Sequence, residues 1–178
     1  MVGVDVLKSG YIIEFRRKGF TGIVLGGLLK LFEPSWDGWG WHLAIAWEKG
    51  YQEGWLLLEA TAGGVMCNFY EDCFLERNTR SWKWLDEIPT RAKKDKFFET
   101  HILRHYDIAS SFWLVVQYLI RHYFNHRIPR LLDDRFSCWE LVFEFCEEMG
   151  KPIASKYDCP ILIDLLKNFE GDKDGTNK

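Results

Sequence analysis

The fold is decided by residues 41–60, which read WHLAIAWEKGYQEGWLLLEA. This stretch holds two apolar runs, 41–47 and 55–60, separated by a polar segment that contains two glycines. Apolar runs on either side of a short glycine-containing segment predict a β-hairpin. Alternation in the first run places Leu43 and its bulky neighbours on one face of the strand and His42 with two alanines on the other. Residues 64–69 form a third run that extends the predicted sheet.

Outside these runs the pattern predicts one more strand, three helices and one irregular connection. They are a strand with a Ser9-Gly10 turn over 6–16, helices over 21–32, 108–123 and 138–149, and a charged connection over 77–96. Gly150 and Pro152 follow the last helix and close it. We therefore expect an α+β fold, in which a small antiparallel sheet packs against helices. We also expect a single domain over residues 1–170, followed by a disordered polar tail over 171–178.

Composition excludes some classes of protein. The chain has 178 residues and a net charge of −3, so the basic surface expected of a nucleic-acid-binding protein is missing. Its longest apolar stretches fall well short of the roughly 20 residues that a transmembrane helix needs. Five irregularly spaced cysteines and the absence of a signal-peptide pattern at the N-terminus predict a reducing, cytoplasmic location.

Cys138 is a candidate nucleophile. Residues 137–140, SCWE, have the Ser-x-x-Glu form of a helix capping box, which places Cys138 at the first helical position. There the helix dipole and the backbone N–H groups favour a thiolate, and the same N–H groups can receive an oxyanion. Taken alone, a cysteine is more commonly a buried structural residue, which is our interpretation of Cys146 on the same helix.

A thiolate nucleophile needs a base, and His42 is the one histidine inside a strong strand pattern. The small residues beside it would let a helix approach closely, so we expect the cysteine helix to pack against the His42 face. Glu59 ends the second apolar run, and on the neighbouring strand it would accept a hydrogen bond from Nδ1 of His42. Taken alone, His42 could instead bond a backbone group, and Glu59 could reach solvent.

The order His42, Glu59, Cys138 resembles that of the circularly permuted members of the NlpC-type papain-like superfamily. These include relatives of bacterial cell-wall peptidases and, more distantly, the lecithin-retinol acyltransferase group. The resemblance is carried by LKSGYII at 7–13, HLAI at 42–45, LEA at 58–60 and CWELV at 138–142, and Tyr106-Asp107 is similar to the segment before the intervening helix of that family. Two residues depart from the pattern: Tyr11, where the family often has Asp, and Trp139, where a small Ser is common.

The resemblance implies a permuted papain-like fold with a Cys138–His42–Glu59 triad, and a cysteine peptidase or amidase that needs no cofactor or metal. The implied reaction is hydrolysis or acyl transfer at an amide bond, with a cell-wall stem peptide as the first candidate substrate. Lipid amides or esters and protein conjugates remain open, and a catalytically silent binding or structural module is the alternative. Because a cytoplasmic chain needs a route to the cell wall, a phage or mobile-element origin is a further hypothesis.

A zinc site is the main competing interpretation of the other chemical groups. Cys67, Cys73, His101 and His105 offer two thiols and a His-x3-His pair. The five residues between the cysteines exceed the usual two to four of a zinc site, so we interpret these side chains as packing and surface residues.

Two further clusters have open interpretations. The basic run at 91–96 is interpreted as a solvated face rather than a contact for an acidic partner. Trp36, Trp39 and Trp41 would either line a groove for an acyl chain, sugar or peptide, or belong to the core.

Overall fold

The computed structural model of the chain describes residues 7–16, 40–105 and 137–153, together with isolated helical positions at 116, 120, 123 and 124. The described residues form five strands and three helices. The strands are β1 Ile12–Arg16, β2 Gly40–Lys49, β3 Gly54–Thr61, β4 Gly64–Glu71 and β5 Thr79–Trp82, and the helices are α1 Asp72–Asn78, α2 Arg91–His101 and α3 Cys138–Glu148.

The five strands lie in one antiparallel sheet with the order β4-β3-β2-β1-β5. The hairpin predicted from residues 41–60 is confirmed as β2–β3, and a second hairpin joins β3 to β4. The predicted Ser9-Gly10 turn is also present, and the amide of Gly10 donates to the carbonyl of Ala46 at 2.7 Å, which ties this turn to β2. The prediction of an α+β fold with a small antiparallel sheet is therefore confirmed.

The sheet is curled, because α1 is the whole connection between its two edge strands. The chain runs from β4 at one edge through the seven residues of α1 directly into β5 at the other edge. Seven helical residues rise only about 10 Å, whereas four inter-strand spacings of a flat sheet measure about 19 Å. The edges must therefore approach each other, and Leu75 of α1, only 1% exposed, packs inside the curl.

Side chains alternate along β2 between two apolar clusters, as the sequence predicts. Ala44 and Ala46 belong to the cluster inside the curl, the inner cluster, together with Ile13, Phe15, Trp55, Leu57, Leu75 and Leu7. The opposite face of β2 contributes Leu43, Ile45 and Trp47 to a larger cluster, the outer cluster, that also contains Phe97 of α2 and the buried residues 141–143, 145 and 146 of α3.

The expectation that the cysteine helix packs against the His42 face is wrong. Leu141, Val142 and Phe145 of α3 are fully buried in the outer cluster, on the face of β2 opposite to His42. The bulky side chains of that face give the helix more apolar surface to cover. The alanines are small for a different reason: they lie inside the curl, where side chains from neighbouring strands converge.

The interpretation of residues 77–96 as an irregular connection is also wrong, since they include β5 and the first half of α2. Strand β5 reads TRSW, and among the described strands its one partner is β1, so it needs no apolar run. Helix α2 begins after Thr90, whose side chain accepts from the Lys93 amide, and only Phe97 and His101 of its residues are buried.

The basic run at 91–96 is largely exposed, in agreement with its interpretation, but Lys94 differs. Its Nζ donates to Ser9 Oγ at 2.8 Å and to the Trp47 carbonyl at 2.7 Å, which joins α2 to the Ser9-Gly10 turn and to β2.

Several predictions fall on residues outside those described. These are the helix over 21–32, most of the helix over 108–123, the tail over 171–178, and the side chains of Trp36, Trp39 and Trp41.

Candidate active site

The predicted capping box forms the N-terminus of α3. Ser137 is the N-cap, and its Oγ accepts from the amide of Glu140. In return, Oε2 of Glu140 accepts from the amide of Ser137 at 2.8 Å and from its hydroxyl at 2.7 Å. The box makes Cys138 the first residue of the helix, as predicted, with a side chain that is almost completely buried.

His42 is the third residue of β2 and lies beside an irregularity in the β1–β2 pairing. Phe15 pairs with His42, but Arg16 pairs with Gly40, so β2 holds one extra residue there. Such a bulge changes the local twist and the direction of neighbouring side chains. The His42 ring lies 5.4 Å from the ring of Phe15, and its side chain is 15% exposed.

Glu59 lies on β3, on the same face of the sheet as His42, and is 1% exposed. Its Oε2 is 2.6 Å from Nε2 of His42. Its other oxygen, Oε1, accepts from Nδ2 of Asn68 at 2.8 Å and from the hydroxyl of Tyr70 at 2.7 Å. Burial alone would raise the pKa of Glu59, but the hydrogen bond and charge of His42, followed by these two donors, lower it.

His42 contacts Cys138 as well as Glu59. Burial alone would lower the pKa of His42, but the charge and side-chain hydrogen bond of Cys138, then those of Glu59, raise it to about 10. The imidazole is therefore held in its protonated form at neutral pH. The three residues singled out from the sequence lie together in the structure; their catalytic roles stay a prediction.

One atom of the expected arrangement is wrong. The sequence-based expectation gave Glu59 the Nδ1–H of His42, whereas the structure places Nε2 against the carboxylate. Because Nε2 is engaged, Nδ1 is the ring nitrogen left to face Cys138. The contact is made at the ends of two elements, the start of β2 and the start of α3, so it does not require α3 to cover the His42 face.

Asn68 and Tyr70 are the site residues that sequence reasoning missed. In the β3–β4 hairpin Met66 pairs with Glu59, so Asn68 and Tyr70, two and four residues further on, share the face of Glu59. Their signal in the sequence was two polar side chains at alternate positions, one inside the predicted run 64–69 and one directly after it. Only the register of the hairpin shows that these two side chains lie on the same face as Glu59.

The described residues give no support to the zinc interpretation. Among them no group of three or more His, Cys, Asp or Glu side chains is arranged to hold a metal ion. His101 is buried, with Nδ1 donating to the Phe97 carbonyl at 2.7 Å and Nε2 lying 3.0 Å from Oε2 of Glu144. Cys73 is exposed, with its Sγ hydrogen-bonded to Glu71.

The other described cysteines differ from Cys138 in their surroundings. Burial raises the pKa of Cys67 to about 11, and it raises the pKa of Cys146, whose side chain is fully buried, still further. A hydrogen bond to Glu71 raises the pKa of the exposed Cys73. The interpretation of Cys146 as a buried structural cysteine agrees with its place in the outer cluster.

Comparison with known proteins adds no family assignment: no protein-family model matches the chain, and no curated protein sequence matches it. Within the described part of the chain, no helix is both long and apolar enough to cross a membrane. The fold and the site together define a mixed α+β protein in which a helix-leading cysteine, a strand histidine and a buried glutamate meet.

Proposed function

We propose that this protein is a cysteine-nucleophile hydrolase or acyltransferase that acts on an amide bond. One observation carries the proposal: the ring of His42, with its pKa raised to about 10, lies between the buried carboxylate of Glu59 and the side chain of Cys138 at a helix N-terminus. A protonated imidazole beside a cysteine at the positive end of a helix favours the thiolate, which is the reactive nucleophile.

The proposed reaction starts from the ion pair of the Cys138 thiolate and the His42 imidazolium. The thiolate sulfur attacks the amide carbon and forms a C–S bond, while the backbone amides of the first turn of α3 stabilise the oxyanion. His42 gives the proton on Nδ1 to the leaving nitrogen, the C–N bond breaks, and a thioester remains on Cys138. Neutral His42 then takes a proton from water or another acceptor as that molecule attacks the thioester carbon. The C–S bond breaks, the acyl group leaves on the acceptor, and the thiolate–imidazolium pair is restored.

Glu59 keeps its negative charge throughout this cycle, because its lowered pKa makes proton uptake from His42 unfavourable. It stabilises the imidazolium and fixes the ring so that Nδ1 faces the sulfur.

We further propose that the fold is the permuted papain-like, NlpC-type fold. The order of histidine strand, glutamate strand and cysteine helix along the chain supports it, as does the place of Cys138 at the start of a helix that packs on the sheet. The substrate proposed first is the amide of a cell-wall stem peptide, with lipid amides or esters and protein conjugates as the other classes. A cytoplasmic location, and a phage or mobile-element origin that would provide access to cell wall, belong to the same proposal.

Selective alkylation tests the nucleophile. At pH 6, iodoacetamide should modify Cys138 rapidly, because only a cysteine held as thiolate reacts quickly there. Cys73 provides an internal control: it is exposed, but its raised pKa leaves it as a slow-reacting thiol. Peptide mass spectrometry of the alkylated protein identifies the modified site. Cys138→Ala should remove the rapid phase, His42→Ala should slow it strongly, and Cys73→Ser should leave it unchanged.

The same variants test turnover. Purified sacculi, lipid amides and ubiquitin-like conjugates should each be incubated with the wild type and with Cys138→Ala, and release of a new amine should depend on Cys138 for one class. Slow labelling of Cys138 at the rate of Cys73, with no Cys138-dependent release from any class, would favour the silent binding module instead.

A further inference from the structure

The Glu59 carboxylate uses its two oxygens differently. Oε2 faces only His42 among the described contacts, whereas Oε1 accepts two hydrogen bonds from β4, one from Asn68 and one from Tyr70. Glu59 is 1% exposed, so water competes little for either oxygen. Two donors on one oxygen fix the rotation of the carboxylate about its last side-chain bond, which fixes the direction of the other oxygen.

Both donors belong to a fully paired strand, β4, which fixes their backbone positions. Asn68 and Tyr70 alternate on β4, which pairs with β3 along the whole of both strands. Burial, followed by the hydrogen bond and charge of Glu59, raises the pKa of Tyr70 well above its ordinary value, so its hydroxyl stays a donor at any working pH. The donors therefore do not depend on a mobile loop or on a titration.

Tyr70 also supports His42 from a second side. Its ring lies 5.2 Å from the ring of Phe15, and the ring of Phe15 lies 5.4 Å from that of His42. The hydroxyl of Tyr70 thus acts on the carboxylate, and its ring acts on the aromatic neighbour of the imidazole. These two contributions can be separated by substitution.

Resting on the proposed function, we propose that Asn68 and Tyr70 are positioning residues, which hold the Glu59 carboxylate so that Oε2 meets Nε2 of His42 and leaves Nδ1 to Cys138. The described side-chain hydrogen bonds of both residues go to Glu59, not to Cys138. Their effect passes through Glu59 to the orientation and protonation of His42, where it can be measured directly.

The test is a titration of His42 followed by 15N-histidine NMR, in the full chain and without substrate. Within the described part of the chain, the titratable groups known to act on His42 are Cys138 from α3 and Glu59 from β3, and Glu59 is in turn bonded by Asn68 and Tyr70 from β4. Without its two donors the carboxylate can rotate away from Nε2, and this weakens its hold on the imidazolium. In Tyr70→Phe combined with Asn68→Leu we expect the midpoint of the His42 titration to fall by about one pH unit from the wild-type value.

Single variants separate the two contributions of Tyr70. Tyr70→Phe keeps the ring and should lower the midpoint with only the loss of thermal stability that one hydrogen bond to Glu59 explains. Tyr70→Leu removes the ring as well and should lower thermal stability further. Tyr51→Phe, at a fully exposed tyrosine outside the site, is the matched control and should change neither.

The pH profile of Cys138 alkylation gives a second readout: Tyr70→Phe should shift its alkaline limb, which follows loss of the His42 proton, to lower pH by a similar amount. An unchanged His42 midpoint in folded Tyr70→Phe and in folded Asn68→Leu would overturn the positioning role. Because the titration needs no substrate, it reads this role even if no amide is cleaved. Absence of turnover with a lowered midpoint would count against the proposed function alone.

Discussion

The negative charge of Glu59 stabilises the protonated form of His42. Glu59 is buried, and it keeps its negative charge because His42 attracts it and donates a hydrogen bond to it. Asn68 and Tyr70 donate two more hydrogen bonds. A carboxylate whose pKa is lowered in the folded state stabilises that state above the pKa of the unfolded chain, here 4.5. The contribution is lost as the pH falls through the folded-state pKa.

Glu59→Gln should therefore change how stability depends on acid. Glutamine keeps the shape and can still accept from Asn68 and Tyr70, but it carries no charge. We expect the wild type to be more stable than Glu59→Gln above pH 4.5, and the difference in free energy of unfolding to shrink below it. Urea-induced unfolding at a series of pH values measures this. A constant difference from pH 7 down to pH 3 would contradict the ionised state of Glu59.

Some of these site residues could be predicted from the sequence and others could not, for a physical reason. Cys138 could be predicted from a local motif, because a capping box involves only residues three positions apart. His42 and Glu59 stood out as polar groups in apolar strands. Asn68 and Tyr70 did not, because their role depends on the register of the β3–β4 hairpin, which places them beside Glu59. The choice of Nε2 over Nδ1 depends on ring orientation, which no sequence pattern encodes.

At the scale of elements, the N-terminus of α3 is the part whose stability matters most for the site. The Ser137 hydroxyl accepts from the Glu140 amide and donates to the Glu140 carboxylate, and Ser137 is fully buried. Ser137→Ala should cost about 1–2 kcal/mol in free energy of unfolding, since it removes the N-cap and leaves a buried carboxylate with fewer donors.

The same variant should slow alkylation of Cys138 at pH 6, because fraying of the first turn weakens the field of the helix at the sulfur. Glu147→Ala, at an exposed position of α3, is the control and should change stability by no more than about 0.5 kcal/mol. If Ser137→Ala proved as mild as the control, the capping box would not be what anchors the cysteine.

Elements were predictable where their own residues carry the pattern. Strands β2 and β3 are apolar runs, and α3 has a cap, a buried stripe and a terminating glycine. Strand β5 was missed because an edge strand with one partner can be polar, and α2 because only two of its residues are buried. The tertiary setting rather than the local sequence makes both of them regular structure.

At the scale of the molecule, the curvature of the sheet is the feature that could not be predicted from the sequence. The alanines of β2 were interpreted as room for an approaching helix, yet they are the small residues needed inside a curled sheet. The curvature follows from the short connection between β4 and β5. The length of that connection indicates a curled sheet only once both strands are known to lie at the edges. The correct side of β2 for α3 could therefore not be read from β2 alone.

The curl itself can be tested through Leu75, the buried residue of α1. Leu75 lies in the inner cluster with Ile13, Ala44 and Leu57, so Leu75→Ala opens a cavity between α1 and the strands it bridges. A cavity of this kind should cost about 2–5 kcal/mol in free energy of unfolding, measured with urea. Glu76→Ala, at an exposed neighbour on the same helix, should stay within about 0.5 kcal/mol of the wild type.

The cavity should also reach the site, because Phe15 belongs to the inner cluster and Tyr70 packs against it. Phe15 contacts the His42 ring, and Tyr70 donates to Glu59, so loosening the cluster weakens both supports of the imidazole. We expect Leu75→Ala to slow alkylation of Cys138 at pH 6 under conditions where the variant is still folded. A large loss of stability with an unchanged alkylation rate would mean that β2 and β3 hold the site without help from the closure of the sheet.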